Sequence, residues 1–470
     1  MIQLRPDQIE FVQGLRDAMR SHQAVMGCAA TGFGKTVVSA YITQSALAKG
    51  KRVIFSVHRK ELIQQTSATF TAFGIPHGFI VSGRPYSSRD LVHIASIDTL
   101  RNKLGIVEDP DLFVIDEAHM AMAAGWHKCA SHFRQNGARV LGNSGSPSRL
   151  DGKPLSDLFD AMVEAPPTRW LMDHGHLSEY RYFAPSRPDL SKVTKRMGDY
   201  AKNELGEVMD RPKLTGDVVD HYRRLADGMR AVAFCVNVAH SQHIAQAFNS
   251  AGIPAAHIDG GTPQAERKRI IADFADGRVK VLCNVELVTT GFDLSAQVGR
   301  DVPVEACILI RPTMSLALYL QMVGRALRKK PYPAVIIDHA GNVFRHGFPD
   351  DARDWSLEGR CSGMRAANDN APPPPITCEV CFNAIRRPLP PACPHCGKPL
   401  AAQAKEIEVA GGELQEQTEA DKRAIREQRK REEIACQTMD DWLLLARKRG
   451  YDFPTQWAEK RFALRHRRSG

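Results

Sequence analysis

No run in this 470-residue chain approaches the roughly eighteen apolar residues that a membrane-crossing helix needs. The opening stretch, Met1-Ile2-Gln3-Leu4-Arg5-Pro6-Asp7, has no apolar core of the signal-peptide kind. Aromatic residues are few, at 7%. Cysteines are mostly solitary: Cys28, Cys235, Cys283 and Cys307 stand singly in apolar segments, as small buried hydrophobes do in a reducing compartment. These absences argue against a membrane protein and against a disulfide-built secreted scaffold, and the expected location is the cytoplasm. The composition, 43% apolar and 25% charged, is that of a folded protein. At about 100–200 residues per domain the length suggests three modules. A formal net charge of +10 favours a polyanionic partner.

Residues 29–36 read Ala29-Ala30-Thr31-Gly32-Phe33-Gly34-Lys35-Thr36, and 116–119 read Asp116-Glu117-Ala118-His119. The first ends in the Gly-Lys-Thr of a Walker A loop. Its glycines let backbone N–H groups face phosphate oxygens at the positive end of the following helix. Lys35 would reach the β- and γ-phosphates and the Thr36 hydroxyl would ligate Mg²⁺. The second follows Leu112-Phe113-Val114-Ile115, a run that reads as a buried parallel strand. Such a strand would deliver Asp116 to the metal and Glu117 to a water molecule. A P-loop pattern alone is often fortuitous, but the pair points to binding and hydrolysis of a nucleoside triphosphate.

From 1 to 165, strand-like runs such as Val53–Val57, Val92–Ser96 and Arg139–Gly142 alternate with helical patterns, which predicts a parallel α/β domain. Residues 166–215 are mixed and suit a connector. The alternation then restarts, with strands expected at Ala231–Cys235, Val279–Cys283, Ala306–Ile310 and Ala334–Asp338, so that 166–356 forms a second α/β domain without a Walker A loop of its own. Gln321 through Arg328 (Gln-Met-Val-Gly-Arg-Ala-Leu-Arg) follows an apolar stretch. Arg325 and Arg328, at i and i+3, are expected on one helical face. Across a cleft they would put fixed positive charge on the transferring phosphate, although such pairs usually belong to a solvated basic helix.

A proline-rich linker is expected over 357–377. Cys378-x-x-Cys381 and Cys393-x-x-Cys396, eleven residues apart, have the spacing of a four-thiolate zinc ribbon over 378–400. Zinc would supply much of the folding energy of so small a segment. His395 lies within a knuckle and reads as a bystander. Arg386 and Arg387 offer themselves to a phosphate backbone. Residues 401–470 read as a charged helical tail. Near its end Trp442, Tyr451, Phe453, Trp457 and Phe462 are interleaved with cations, which suits either nucleic-acid stacking or a small helical cap packed on the second domain.

In this order the motifs resemble those of superfamily 2 DEAD/DEAH-box helicases, closest to RadD-like DNA-repair helicases and phage-borne relatives, over about residues 2–350. The resemblance implies two tandem RecA-like domains whose cleft closes on ATP. It implies that the Leu4–Gln8 stretch, with Arg5 and Gln8, reads the adenine. His58 and Arg59, and Ser96 and Thr99, would sit against a nucleic-acid backbone. Ser144 and Ser146 would couple the ATP site to that groove, with His119 assisting. In Asn284–Asp293, Thr289 and Thr290 would contact phosphate, and Gly291 and Asp293 would lie near the nucleotide. Gln321 would touch the phosphate or the attacking water.

The function that follows is an ATP-dependent helicase or translocase, with DNA favoured over RNA, acting in repair, recombination or replication. ATP, Mg²⁺ and a structural Zn²⁺ are the implied cofactors. The chain is expected to be a monomer, with the ribbon or tail available to a protein partner. An RNA remodeller, the motor subunit of a restriction or defence assembly, and a non-motor ATP switch are the other readings.

Overall fold

The computed structural model of the chain describes residues 3–149, 151–185, 188–196, 198–288, 294–359, 374–400, 427–428, 430–449 and 454–466. The chain divides into two compact units, Met1–Ala402 and Gln403–Gly470. Among the described residues no helix is long and apolar enough to cross a membrane.

The larger unit is built on two parallel sheets. The first contains β1 (Ala24–Cys28), β2 (Val53–Val57), β3 (Gly78–Ile80), β4 (Val92–Ser96), β5 (Leu112–Asp116), β6 (Arg139–Ser144) and β7 (Ala161–Glu164), in the order β3-β4-β2-β5-β6-β1-β7. β1 and β2 are buried along their whole length. Helices cover both faces, so inner strands read as continuous apolar runs rather than alternating ones.

The second sheet contains β8 (Tyr180–Phe183), β11 (Ala231–Phe234), β12 (Ala255–Ile258), β13 (Val281–Asn284), β14 (Ala306–Leu309) and β15 (Ala334–Asp338), in the order β12-β13-β11-β14-β15-β8. Between β8 and β11 a short hairpin, β9 (Lys195–Arg196) with β10 (Asp199–Tyr200), stands apart from the sheet. The fold is therefore the expected pair of parallel α/β domains.

The expected connector does more than connect, because β8 pairs with β15 as the edge of the second sheet. Its sequence, Tyr-Arg-Tyr-Phe, lacks the apolar continuity of an inner strand. The Tyr182 hydroxyl reaches Asp338 Oδ2 at 2.9 Å, so even its buried part carries a polar end that obscures the strand signal.

The chain also crosses back to the first domain. After β15 and the helix Asn342–His346, the Leu357 carbonyl accepts from the N–H groups of Leu155 and Ser156, at 2.6 and 3.1 Å. The Leu357 side chain packs on the first domain's core, and Gly359 lies so close to Gly152 that a Cβ there would stand 2.5 Å from the Gly152 oxygen. Residues 357–359, read as linker, thus form the end of a strap between the domains. Most of that linker lies outside the described residues.

The cysteine module packs on the second domain. Ala184 N–H donates to Phe382 O at 2.8 Å, and Phe183 bridges Asn383 in antiparallel fashion. Arg386 ion-pairs with Asp350 and Asp351, and its guanidinium sits 4.2 Å from the Phe348 ring centre. The phosphate role read for Arg386 is therefore corrected: the two carboxylates take its charge to dock the module.

In the smaller unit, the helices Met439–Lys448 and Pro454–His466 pack around a core of Cys436, Trp442, Leu445 and Ala458. Trp442 is buried, with Trp457 5.8 Å away. Trp442 is thus a core residue of its own small unit. Tyr451 and Phe453 lie outside the described residues.

Candidate active site between two parallel sheets

The P-loop begins where β1 ends. Ala29 N–H is tied to Ser144 O at 2.9 Å, and the Phe33 N–H turns back to Ala30 O at 3.1 Å. Gly32 and Gly34 have φ of 92° and 99°, a region that only glycine enters freely. Each is also crowded. A Cβ on Gly32 would stand 2.6 Å from Leu177, and one on Gly34 2.6 Å from the Gln8 amide. The helix Lys35–Leu47 starts immediately afterwards, so the loop's N–H groups gather at its positive end. Lys35 Nζ donates to Ala29 O at 3.0 Å, folded over the loop where a phosphate would draw it outward.

Gln8 braces this loop. Its Nε2 donates to Phe33 O at 2.9 Å and its Oε1 accepts from Arg5 N–H at 3.1 Å. Arg5 also reaches Phe33 O, at 3.1 Å, and pairs with Asp7, whose carboxyl falls below its usual range because the Arg5 guanidinium outweighs burial. The Gln8 amide thus joins the first helix to the P-loop.

β5 delivers the acidic pair. Burial, and then the neighbouring Glu117, push the Asp116 carboxyl up to about 7 against the pull of Lys35. A carboxylate this costly to charge, beside Lys35 at the end of the P-loop, fits a divalent cation. Glu117 sits at φ 54°, a strained conformation for a residue with a side chain, and is buried. Its Oε2 accepts from Gln321 Nε2 across the cleft at 3.1 Å and lies 3.4 Å from His119 Nδ1. His119 Nδ1 is also 3.2 Å from Ser144 Oγ, which in turn donates to Ser146 O at 2.7 Å. With the Ser144 proton so committed, Nδ1 carries the histidine's hydrogen. Burial lowers the His119 pKa, which keeps the ring neutral. One polar chain therefore runs from Gln321 of the second domain through Glu117 and His119 to Ser144 and Ser146 of the first.

The second domain presses its helix Leu316–Gly324 against the P-loop, with Ser315 Oγ capping it at Leu318 N–H, 3.1 Å. A Cβ on Gly324 would lie 2.6 Å from Thr31. A cleft of 280 Å³ remains between Ala30, Thr31 and Gly145 on one side and Leu320, Gly324 and Trp355 on the other. Arg325 is buried at 7% exposure. The expectation that Arg325 and Arg328 share one helical face is corrected. The helix ends at Gly324, Arg325 is its C-cap, and Arg328 sits in a bridge to Leu177. Ser178 Oγ donates to the carbonyl oxygens of Arg328 and Lys330, at 2.9 and 3.3 Å, beyond the helix end.

The expected nucleic-acid residues gather at neighbouring strand ends. β2 and β4 pair in register Val57 to Ser96, which sets His58 and Arg59 beside Ser96 and Thr99. Arg59 Nη1 also crosses to the second domain, donating to Glu286 O at 3.1 Å. Thr289, Thr290, Gly291 and Asp293 lie outside the described residues. The sequence reading missed Glu286 and its partners Lys202 and Arg311, because residues so far apart in the chain carry no shared spacing.

The four cysteine sulfurs lie within 4.8 Å of one another, and the Cys378–Cys396 and Cys381–Cys393 pairs are each 3.6 Å apart. Four thiolates at about 2.3 Å from one Zn²⁺ are separated by about 3.8 Å, so the cluster fits that ion. His395 instead packs edge-on against Phe183.

Two family models match this chain: "Type III restriction enzyme, res subunit" over residues 1–149 and "Helicase conserved C-terminal domain" over 216–330. A 51.5 kDa protein of a Lactococcus phage is 36% identical over 69% of this chain and 67% of its own length. The Saccharomyces cerevisiae "Putative ATP-dependent helicase IRC3" is 29% identical over 69% of this chain. The chain belongs to the superfamily 2 DExx-box helicases.

The helicase spans about half of its yeast relatives, 49% of the Saccharomyces cerevisiae protein and 55% of the Schizosaccharomyces pombe one. The solved Hef helicase domain of Pyrococcus furiosus is 17% identical, covering 73% of this chain and 98% of its own, with a TM-score of 0.45. As an ATP-dependent helicase the protein hydrolyses ATP and binds nucleic acid.

Proposed function

We propose that this helicase moves on DNA, by alternate closing and opening of the cleft between its two sheets. The observation that carries the proposal is the Gln321–Glu117 hydrogen bond, because it joins the hydrolytic carboxylate to the opposite domain. ATP held by the P-loop would meet Lys35 from one side and Arg325 and Arg328 from the other. Thr36 and Asp116 would hold Mg²⁺, which supplies positive charge to the phosphate oxygens. Glu117 would take the proton of the attacking water, and Gln321 and His119 would keep its carboxylate aimed. Loss of the γ-phosphate would release the arginines and reopen the cleft. His58, Arg59, Ser96 and Thr99 would grip the backbone of the nucleic acid without reading bases. Thr289 and Thr290 would extend that grip, and Gly291 and Asp293 would border the nucleotide. Cys378, Cys381, Cys393 and Cys396 would hold one structural Zn²⁺.

DNA is preferred because the model matching the first domain is described as a restriction-enzyme subunit, in keeping with the resemblance to repair-type helicases. Both halves of the site lie on one chain, which supports a monomeric motor. ATP turnover measured with single-stranded DNA, duplex DNA and RNA tests the substrate. Stimulation by DNA, absent in Glu117→Gln, is the expected result. Stimulation by RNA alone would make the protein an RNA remodeller.

A further inference from the structure

Glu286 follows β13 and adopts φ 57°, the left-handed region that is strained for a residue with a side chain. The strain sets its carboxylate among cations from separate elements. Arg311, just after β14, places Nη1 3.3 Å from Glu286 Oε1. Lys202, at the start of the helix Lys202–Met209, ion-pairs with the same oxygen. Arg59 of the first domain holds the Glu286 carbonyl. Together these cations hold the Glu286 carboxyl below its usual range against the opposing effect of burial.

Arg311 is 8% exposed, and Glu286 is the carboxylate paired with it. It lines a 580 Å³ cleft with Arg196 and Lys202. The acids bordering that cleft are turned to other partners. Asp199 accepts from Thr313 Oγ1 and Met314 N–H, both at 2.8 Å, and Glu204 from Thr194 N–H at 2.7 Å.

We infer that Arg59, Lys202 and Arg311 form a phosphodiester-binding site spanning both domains, and that the Glu286 carboxylate occupies it as an internal stand-in which nucleic-acid phosphate displaces. The inference rests on the nucleic-acid role proposed for the Arg59 edge. A buried arginine needs an anion, and a single carboxylate leaves most of its five N–H donors to other acceptors. A phosphate offers more acceptor oxygens and matches the guanidinium fork. The strained Glu286 backbone relaxes when its side chain is released. Glu286 therefore weakens binding and sets a threshold that a correctly placed backbone must exceed.

The test is equilibrium binding of fluorescent single-stranded and duplex DNA to the full chain at fixed salt. It compares wild type with Glu286→Gln, which keeps the shape and removes the charge, and Glu286→Gly, which also removes the strain. Both variants should bind about fivefold tighter or more. The gain should disappear when Lys202→Gln and Arg311→Gln are added, because the carboxylate acts only through those cations. Wild-type binding matched or weakened in both Glu286 variants, with melting curves showing folded protein, would overturn the stand-in and leave the helicase reading intact. A gain that survives loss of the two cations would overturn it as well. No binding by any of these proteins would overturn both readings.

Discussion

Asp116 and Glu117 stand side by side at the end of a buried strand, and burial, then the neighbouring Glu117, raises the cost of charging Asp116. Burial and Glu117 push the Asp116 carboxyl up to about 7, against about 3.9 for a free aspartate. Between those values the folded protein keeps a proton that the unfolded chain has lost, so stability falls as pH rises through that window. Thermal melts in chelator should therefore show Asp116→Asn above wild type, with the gap widening from about pH 4 to about pH 7 and level beyond. Adding Mg²⁺ above pH 7 should raise the wild-type melting point and leave the variant unmoved. A pH-independent gap would contradict this reading of the site. At this scale the sequence was most informative where neighbours in the chain are also neighbours in space, as in Gly32 to Thr36 and Asp116-Glu117. It was silent where partners come from afar. Nothing near Gln8 announces that its amide would be taken by Phe33 O, and nothing near Glu286 announces Lys202 and Arg311.

Individual elements are held together by close approaches as much as by attraction. The helix Leu316–Gly324 meets the P-loop where Gly324 faces Thr31, with no room for a side chain. Gly324→Val should leave ATP binding by the first domain within a few fold, yet slow turnover by about a hundredfold or more by pushing Gln321 and Arg325 away. Equilibrium nucleotide binding and steady-state hydrolysis separate the two effects, and equal losses in both would show a folding defect instead. The strap makes a second prediction. Leu357→Asp should expose the Leu155 and Ser156 amides, whose protection against hydrogen exchange comes from the Leu357 carbonyl. Unchanged exchange there would mean that the strap's grip is not made by this side chain. Apolar runs made the inner strands legible, because burial on both faces leaves no polar position. β8 escaped because an edge strand with tyrosines and an arginine has no such run, and the strap escaped because it has no periodicity. The arginine pair was misread because the helix stops at Gly324, and Arg328 instead joins a bridge to Leu177, far away in sequence.

On the scale of the whole molecule, hydrolysis and movement are one process only if the ATP site is incomplete within either domain. In the proposed site the first domain would supply Lys35, Thr36, Asp116 and Glu117, and the second Gln321, Arg325 and Arg328. The contact of Gln321 with Glu117 and the Arg59–Glu286 bond join the two domains at two separate places. The overall plan was readable from two alternations of strand and helix with one P-loop between them. The back-crossing of the chain and the docking of the cysteine module by Arg386 depend on contacts that no local pattern encodes. The most direct measurement is single-turnover ATP hydrolysis by Arg325→Ala at saturating nucleotide and nucleic acid, with ATP affinity measured alongside. Shared catalysis predicts near-normal affinity and a rate lower by about a thousandfold. Hydrolysis at the wild-type rate would show that the first domain acts alone, and would contradict the account.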